Sequence, residues 1–201
     1  MDKKKLLTFI APAHNEPDYD RAFVTSMLAQ ICQDFHAIVF HNGPDKTFMS
    51  FWIQEQNVGW DEVHGDHIQF KQSGIDSGNW GTSNRQIAIT ECTTEYIIQT
   101  SISDYWLPQA VEYILKGLET KPDILVWNSV NHLVGPCRVL DAQLAWSKLD
   151  WGNFAIKTEI AKQVPIRQTE YCADWLFVKD CIDRGLIKTA KKLDALLTIH
   201  N

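Results

Sequence analysis

The sequence contains no long hydrophobic run, no closely spaced cysteine pair and no excess of basic residues. None of its apolar stretches approaches the roughly 20 residues of a membrane-spanning helix, and the short run behind the N-terminal lysines does not predict an export signal. The five cysteines are odd in number and form no C-x-x-C pair, so we expect free thiols and a reducing, cytoplasmic location. The formal net charge of −6 argues against broad binding to nucleic acid.

The composition is that of an ordinary globular chain. Of its 201 residues, 45% are hydrophobic and 22% are charged, which favours a packed core over a disordered segment. No repeat, linker or low-complexity segment divides the sequence. The whole chain, residues 1–201, is therefore expected to form one domain.

The N-terminal part predicts a strand, a helix and a second strand. Residues 6–11 form a continuous apolar run that ends at Pro12 and a polar turn, and residues 37–40 form another that ends at the turn of residues 41–44. Between them, residues 20–31 carry apolar side chains at helical spacing. This βαβ pattern predicts a parallel sheet.

Further patterned segments predict the other elements. The predicted helices are Phe48–Gln54, Ser83–Thr90, Pro108–Leu118, Lys157–Val164 and Asp174–Arg184. The predicted strands are Tyr96–Thr100, Asp123–Asn128 and a short one within His64–Phe70. We therefore expect an α/β fold whose mostly parallel central sheet carries helices on both faces and binds its ligand at the carboxyl ends of the strands.

Four segments of the first part of the chain carry a family resemblance through their order. They are Ile10-Ala11-Pro12-Ala13-His14-Asn15-Glu16, Ala29-Gln30 with Phe35-His36-Ala37-Ile38-Val39, Ser83-Asn84-Arg85 with Thr94-Glu95-Tyr96-Ile97, and Trp106-Leu107-Pro108. Together they resemble the motifs of the family 2 glycosyltransferases, which are nucleotide-sugar-dependent enzymes of the GT-A fold. The resemblance implies one Rossmann-like GT-A domain, with a donor half at about residues 1–120 and an acceptor half at about residues 121–201.

The resemblance also implies where a nucleotide-sugar donor binds. The first turn would line the base and ribose, and Arg85 would hold the diphosphate through two hydrogen bonds, the alternative for Arg85 being a surface ion pair. The acidic residue of the family's second turn is replaced by His41 and Asn42, of which Asn42 can still pair with a pyrimidine edge. The predicted donor-binding residues are Pro12, Ala13, His14, Asn15, Glu16, His41, Asn42, Arg85, Ser101 and Ser103.

The metal motif of the family is altered in this sequence. Where the family carries D-x-D after the third strand, this chain has Ser101-Ile102-Ser103-Asp104, so only Asp104 offers a carboxylate. The resemblance implies that Asp104 and the late His200 hold a divalent cation, Mn²⁺ or Mg²⁺. Weak or absent metal dependence is equally consistent with the sequence. His64 and His67 have ligand-like chemistry, but a polar loop there predicts a solvated surface.

An acidic residue before the last predicted helix matches the position of the family's catalytic base. This makes Asp174 the candidate to accept the proton of an acceptor hydroxyl, with a helix N-cap as the alternative role. Asp150 and Trp151 are predicted to shape the acceptor side, and burial of Trp151 in the core is an equal alternative.

The function predicted from these residues is glycosyl transfer, with inversion, from a nucleotide-diphosphate sugar to an acceptor hydroxyl. A UDP-sugar is the favoured donor, and a glycan or another alcohol is the acceptor. One alternative is a non-catalytic GT-A domain that binds a nucleotide or a glycan, as the altered D-x-D motif suggests. A nucleotidyltransferase ranks last, because residues 12–17 lack the glycine-rich phosphate loop that such an enzyme needs.

Overall fold

A computed structural model describes residues 5–14, 20–44, 67–79, 81–131, 138–167, 170 and 172–200. Five helices and nine strands lie in these residues. The helices are α1 (Asp20–Leu28), α2 (Thr82–Glu91), α3 (Ala110–Leu118), α4 (Thr158–Ala161) and α5 (Ala173–Asp183). The strands are β1 (Leu7–Ala13), β2 (His36–His41), β3 (Ile68–Gln72), β4 (Tyr96–Gln99), β5 (Tyr105–Trp106), β6 (Ile124–Asn131), β7 (Arg138–Leu140), β8 (Phe154–Lys157) and β9 (Ala190–His200).

The strands form one mostly parallel sheet in the order β3-β2-β1-β4-β8-β6-β9-β5, with β7 paired to β6. The four strands β3, β2, β1 and β4 are parallel neighbours. Strand β8 runs antiparallel between β4 and β6, and β9 lies parallel to β6. The predicted fold class is therefore confirmed.

Helices cover both faces of this sheet because the side chains of its strands alternate between two apolar layers. On β1, Phe9 packs into one layer and Ile10 into the other, and both side chains are fully buried. Helices α1 and α3 contribute to the first layer, and α2 and α5 contribute to the second. This arrangement explains the continuous apolar run of the first strand, since a strand that is buried on both faces has no polar positions.

The cysteines belong to these layers rather than to disulfides. The four described cysteines, Cys32, Cys92, Cys172 and Cys181, are free thiols. Cys92 and Cys181 are buried, and burial raises the pKa of their thiols to about 11 and about 12. They act as small hydrophobic side chains, as the sequence predicts.

Several predicted elements differ from the structure. Residue 157 ends a strand, and the predicted helix Lys157–Val164 is reduced to the single turn of α4. The turn at Pro108 precedes α3, which begins at Ala110. The strand predicted within His64–Phe70 runs over Ile68–Gln72. The short strand β5 was not predicted. For residues 131–201 the sequence predicts short strands that alternate with helices, without giving their bounds, and the structure has β7, β8 and β9 there. The predicted helix Phe48–Gln54 and the loop residue His64 lie outside the described residues.

Candidate active site

A cavity of about 320 Å³ opens at the carboxyl ends of β1, β2 and β4. Because these strands are parallel, the turns that follow them meet at the same edge of the sheet. The cavity brings together six of the predicted donor residues, Pro12, Ala13, His14, Asn42, Arg85 and Ser101, and it adds Gly78, Gly81 and Ile102. Asn15 and Glu16, which were also predicted, lie outside the described residues. His41 and Ser103 are buried beside the cavity but do not line it.

Helix α2 reaches this edge because its N-cap residue is a glycine. Gly81 has a φ of +74°, and a Cβ atom added there would lie 2.4 Å from Cβ of Pro12. Only glycine permits this close approach of the helix to the end of β1. The carbonyl of Gly81 accepts a hydrogen bond from the backbone N–H of Arg85, one helical turn later. The glycine therefore positions Arg85 beside the cavity.

Arg85 is a buried cation without a complete set of partners. Arg85 is only 4% exposed, and its Nη1 has no hydrogen-bond partner among the described residues. The guanidinium lies 5.1 Å from the ring centroid of Trp151. Burial lowers the pKa of Arg85 to about 10, and Asp104, Asp150 and Asp174 oppose this shift. The alternative role in a surface ion pair is therefore wrong.

Asp104 lies at the centre of a buried hydrogen-bond network. It has no exposed surface, and its Oδ2 accepts hydrogen bonds from Thr100 Oγ1 at 2.5 Å and from the backbone N–H of Ser101 at 2.8 Å. Its Oδ1 accepts a hydrogen bond from Nδ1 of His200 at 2.6 Å. Gly152, with a φ of +93°, packs so closely that an added Cβ atom would lie 2.9 Å from Oδ2.

The predicted metal ligands Asp104 and His200 are thus hydrogen-bonded to each other. Both oxygens of Asp104 are engaged with protein donors, and Nδ1 of His200 is also engaged. The described part of the chain contains no group of three or more His, Cys, Asp or Glu side chains arranged to hold a metal ion. A carboxylate offers about four acceptor positions, so the hydrogen bonds from Thr100, Ser101 and His200 leave one position of Asp104, on Oδ1, for a divalent cation.

Two further carboxylates, Asp150 and Asp174, complete the polar cluster. Nε2 of His200 lies 3.6 Å from Oδ2 of Asp150. Burial raises the pKa of Asp150 to about 7, with Asp174 and Asp104 adding to the shift and His200 opposing it. Burial also raises the pKa of Asp174, against the effects of the Trp175 N–H and Arg85. Burial would lower the pKa of His200, but Asp104 and Asp150 raise it to about 9.

Asp174 lies in the first turn of α5 and is not its N-cap, which is Cys172. Its Oδ1 accepts a hydrogen bond from the backbone N–H of Trp175 at 2.6 Å. The capping alternative is therefore wrong, and Asp174 keeps a position next to Asp150 and Arg85.

Trp151 lies at the edge of the apolar core and beside Arg85, and its role on the acceptor side stays a prediction. Its ring packs against Phe154 and Phe177, with centroids 5.7 and 6.0 Å away, and it also lies under the guanidinium of Arg85. The residue is only partly buried. Trp151 thus joins the apolar layer to the polar cluster.

Sequence reasoning missed Asp76, which follows β3 and reaches the rim of the cavity. Its carboxylate is bonded to His14 and Asn42, two residues that line the cavity. The segment around Asp76 is a glycine-containing loop without periodicity. The sequence signal for Asp76 was therefore limited to an acidic residue in a loop near the predicted sheet edge.

No protein-family model matches the sequence, and no curated protein sequence matches it. Solved structures do match. TarS from S. aureus superposes with a TM-score of 0.78 at 14% identity, over 97% of this chain and 36% of that chain. TarS 1–349 in complex with UDP-GlcNAc superposes with a TM-score of 0.77 at 14% identity, over 96% of this chain and 57% of that chain. The chain has the GT-A fold.

A third solved structure extends this comparison. The mannosyltransferase PcManGT from Pyrobaculum calidifontis, in complex with GDP-Man and Mn²⁺, superposes with a TM-score of 0.71 at 13% identity, over 99% of this chain and 57% of that chain. The GT-A fold implied by the sequence motifs is thus confirmed. The chain spans about a third to three-fifths of the length of these solved chains. None of the helices in its described part has the length and apolar character needed to cross a bilayer.

Proposed function

We propose that this GT-A domain binds a nucleotide-diphosphate sugar and transfers the sugar to an acceptor hydroxyl with inversion at the anomeric carbon. The observation that carries this proposal is Arg85, a buried cation with an unpartnered Nη1 beside the cavity at the strand ends. A buried hydrogen-bond donor without an acceptor is costly, so such a position favours an anionic ligand that accepts from Nη1. Solved structures of the same fold are complexes with UDP-GlcNAc and with GDP-Man, which agrees with a nucleotide-sugar donor.

The proposed chemistry is a direct displacement. The acceptor oxygen forms a bond to the anomeric carbon while the bond from that carbon to the diphosphate oxygen breaks. Asp174 accepts the proton that the hydroxyl loses, and Asp150 is the next candidate for this role. The leaving diphosphate takes the electron pair, and Arg85 stabilises its negative charge.

The proposal keeps a divalent cation as a prediction from the sequence, with weak or dispensable binding. Asp104 has one acceptor position left for such an ion, and Arg85 is the cation that the protein itself supplies to the diphosphate. A cytoplasmic location also remains a prediction, from the cysteines alone.

The first test measures nucleotide binding through the thermal shift that UDP, GDP and dTDP cause. A ligand at 100 times its Kd stabilises the folded state by about 2.7 kcal/mol, which raises the Tm of a chain of this size by roughly 5–11 °C.

We expect Arg85→Gln to weaken nucleotide binding about 10- to 100-fold, because a hydrogen bond to a charged group is lost. Arg184→Gln, at an exposed position on the end of α5, is the matched control and should bind normally. If no nucleoside diphosphate shifts the Tm at millimolar concentration, the proposal is wrong.

The second test measures donor hydrolysis and transfer with UDP-, GDP- and dTDP-sugars, with and without Mn²⁺. A non-catalytic GT-A domain is the second candidate function, because the D-x-D motif is altered and both oxygens of Asp104 already accept hydrogen bonds from the protein. Turnover of any donor supports the transferase. Tight nucleotide or glycan binding without turnover, across donors and metal conditions, supports the binding domain instead.

A further inference from the structure

The side chains of the turn after β2 are buried and hydrogen-bonded within the protein. Asn42 is 3% exposed, its Nδ2 donates to Asp76 Oδ1 at 2.7 Å, and its Oδ1 accepts hydrogen bonds from the backbone N–H and the hydroxyl of Ser77 at 3.2 and 2.9 Å. His41 is 2% exposed, and its Nδ1 is 2.8 Å from the carbonyl oxygen of Gly43. Three of the four hydrogen-bonding positions of the Asn42 amide are therefore used within the protein, and the pairing of Asn42 with a pyrimidine edge stays a prediction from the sequence.

Asp76 is the acidic group that these contacts hold at the rim of the cavity. Its side chain is 51% exposed and bonds to three residues that line the cavity. Oδ1 accepts hydrogen bonds from Asn42 Nδ2 at 2.7 Å and from the backbone N–H of Gly78 at 2.9 Å, and Oδ2 accepts one from Nε2 of His14 at 3.0 Å. A carboxylate offers about four acceptor positions, so one position on Oδ2 is still open to a ligand.

The surrounding backbone is shaped to bring Asp76 to this place. Gly43, which directly follows Asn42, has a φ of +91°, and an added Cβ atom would lie 3.0 Å from Cβ of Asp76. A side chain at position 43 would therefore push the two loops apart. The hydrogen bonds from Gly78 and His14 hold the pKa of Asp76 below its ordinary value, so the group is a carboxylate at neutral pH.

We propose that Asp76 reads the nucleobase of the donor, by accepting the imino N–H of a uracil, thymine or guanine ring, and that Asn42 positions it. This inference rests on the proposed function, since it assumes that the cavity binds a nucleotide. Uracil and thymine carry a proton on N3, and guanine carries protons on N1 and its amino group. Cytosine N3 and adenine N1 carry a lone pair at the same place, which a carboxylate repels. A site built around such a hydrogen bond discriminates strongly against a ligand that lacks it.

The experiment compares the binding of UDP, GDP, CDP and ADP by isothermal titration calorimetry. Wild-type protein should bind UDP or GDP more tightly than CDP and ADP. We expect Asp76→Asn to weaken the preferred nucleotide about 10- to 100-fold, because a hydrogen bond to a charged acceptor is lost. Binding of CDP should stay the same or improve, because the new amide can donate to cytosine N3.

Asp183→Asn is the matched control for this substitution. Asp183 is 54% exposed and pairs with Lys179 at the end of α5, nine residues or roughly 14 Å along the helix from Asp174. The control should leave all four affinities unchanged. Asn42→Ala tests the positioning role, and it should reduce the ratio of UDP to CDP affinity as Asp76→Asn does. A purely structural role of Asn42 would weaken all nucleotides equally and leave that ratio unchanged.

The outcomes separate this inference from the proposed function. Wild-type protein that binds no nucleoside diphosphate overturns both. If wild-type protein binds UDP or GDP and Asp76→Asn keeps the same nucleotide preference, only the assignment of Asp76 is overturned. If Asp76→Asn does not fold, Asp76→Ser replaces it, and the same loss of preference is expected.

Discussion

At the residue scale, one buried cation and three buried carboxylates share the edge of the sheet. The charge of Arg85 interacts with those of Asp104, Asp150 and Asp174. Asp104 accepts hydrogen bonds from His200, Thr100 and Ser101. Asp150 and Asp174 have fewer protein donors, and burial raises the pKa of both. The cluster therefore leaves the carboxylates of Asp150 and Asp174 available to exchange protons, and it leaves Arg85 available to an anion.

Asp174→Asn tests the proposed base. Asparagine keeps the oxygen that accepts the hydrogen bond from the Trp175 N–H, so we expect little loss of stability. It removes the proton acceptor, which contributes a factor on the order of 10²–10⁴ to the rate. Initial rates of transfer and the Kd for the donor nucleotide are the measurements, with Asp183→Asn on the same helix as the control. Near-normal transfer by the variant would contradict the role of Asp174 and direct attention to Asp150.

At the element scale, the pairing of β9 with β5 assembles this cluster. Strand β5 begins directly after Asp104, and its residues pair with the end of β9, Tyr105 with Ile199 and Trp106 with Thr198. The pairing places His200 beside Asp104, although 96 residues separate them in the chain. The turn that contains Gly152 closes the same cluster from the side of β8.

Gly152→Ala tests how closely that turn must pack. The residue has a φ of +93°, and the new Cβ atom would lie 2.9 Å from Oδ2 of Asp104. We expect a loss of about 1–3 kcal/mol in the free energy of unfolding and a lower transfer rate, because Asp104 and His200 must move.

Gly185→Ala is the matched control for Gly152→Ala. Gly185 also has a positive φ, of +69°, but an added Cβ atom there meets no heavy atom within 4 Å. Urea unfolding of both variants separates the cost of the backbone conformation from the cost of the contact. Equal losses of stability with unchanged transfer rates would show that the approach to Asp104 is unimportant.

At the scale of the whole molecule, one ion pair and its neighbouring hydrogen bonds join the starts of β6 and β9 to the end of β8. Asp123 directly precedes β6, its Oδ1 accepts a hydrogen bond from Lys157 Nζ at 2.8 Å, and its Oδ2 accepts hydrogen bonds from the backbone N–H groups of Lys188 and Thr189. Three segments that form adjacent strands are thus tied at one point. Burial would raise the pKa of Asp123, but these hydrogen bonds, first of all that of Lys157, hold it well below its ordinary value.

This shift predicts how the stability of the protein depends on pH. The folded-state pKa of Asp123 is depressed, so its contribution is present above the unfolded-state pKa of about 3.9 and is lost as the pH falls toward the folded-state value. We expect Asp123→Asn to lower the free energy of unfolding by about 1–3 kcal/mol at pH 7 and to reduce the loss of stability below pH 4. Urea titrations between pH 2.5 and 7 check this. If the free energy of unfolding of the variant falls below pH 4 as steeply as that of the wild-type protein, the result contradicts the role of Asp123.

The sequence by itself determined the buried strands and the turns that follow them. Strands β1, β2 and β4 are mostly apolar runs that end in polar turns, and such runs are local patterns that arise because helices bury both faces of a parallel sheet. Because parallel strands end at one edge, the same patterns placed Ala13, Asn42, Arg85 and Ser101 around one cavity. The two acidic candidates of the second half, Asp150 and Asp174, were also identified by their local positions.

The tertiary structure alone decided what these side chains contact. The sheet order brings His200 to Asp104, closes both oxygens of Asp104 against protein donors, and sets Asp76 between His14 and Asn42. The contacts of Asp104 with His200 and of Asp76 with His14 and Asn42 join residues that are 34 to 96 positions apart. A local pattern specifies which face of an element is buried, but it contains no record of which distant strand becomes its neighbour. That choice depends on packing the two apolar layers together, and it is therefore made only when the whole chain folds.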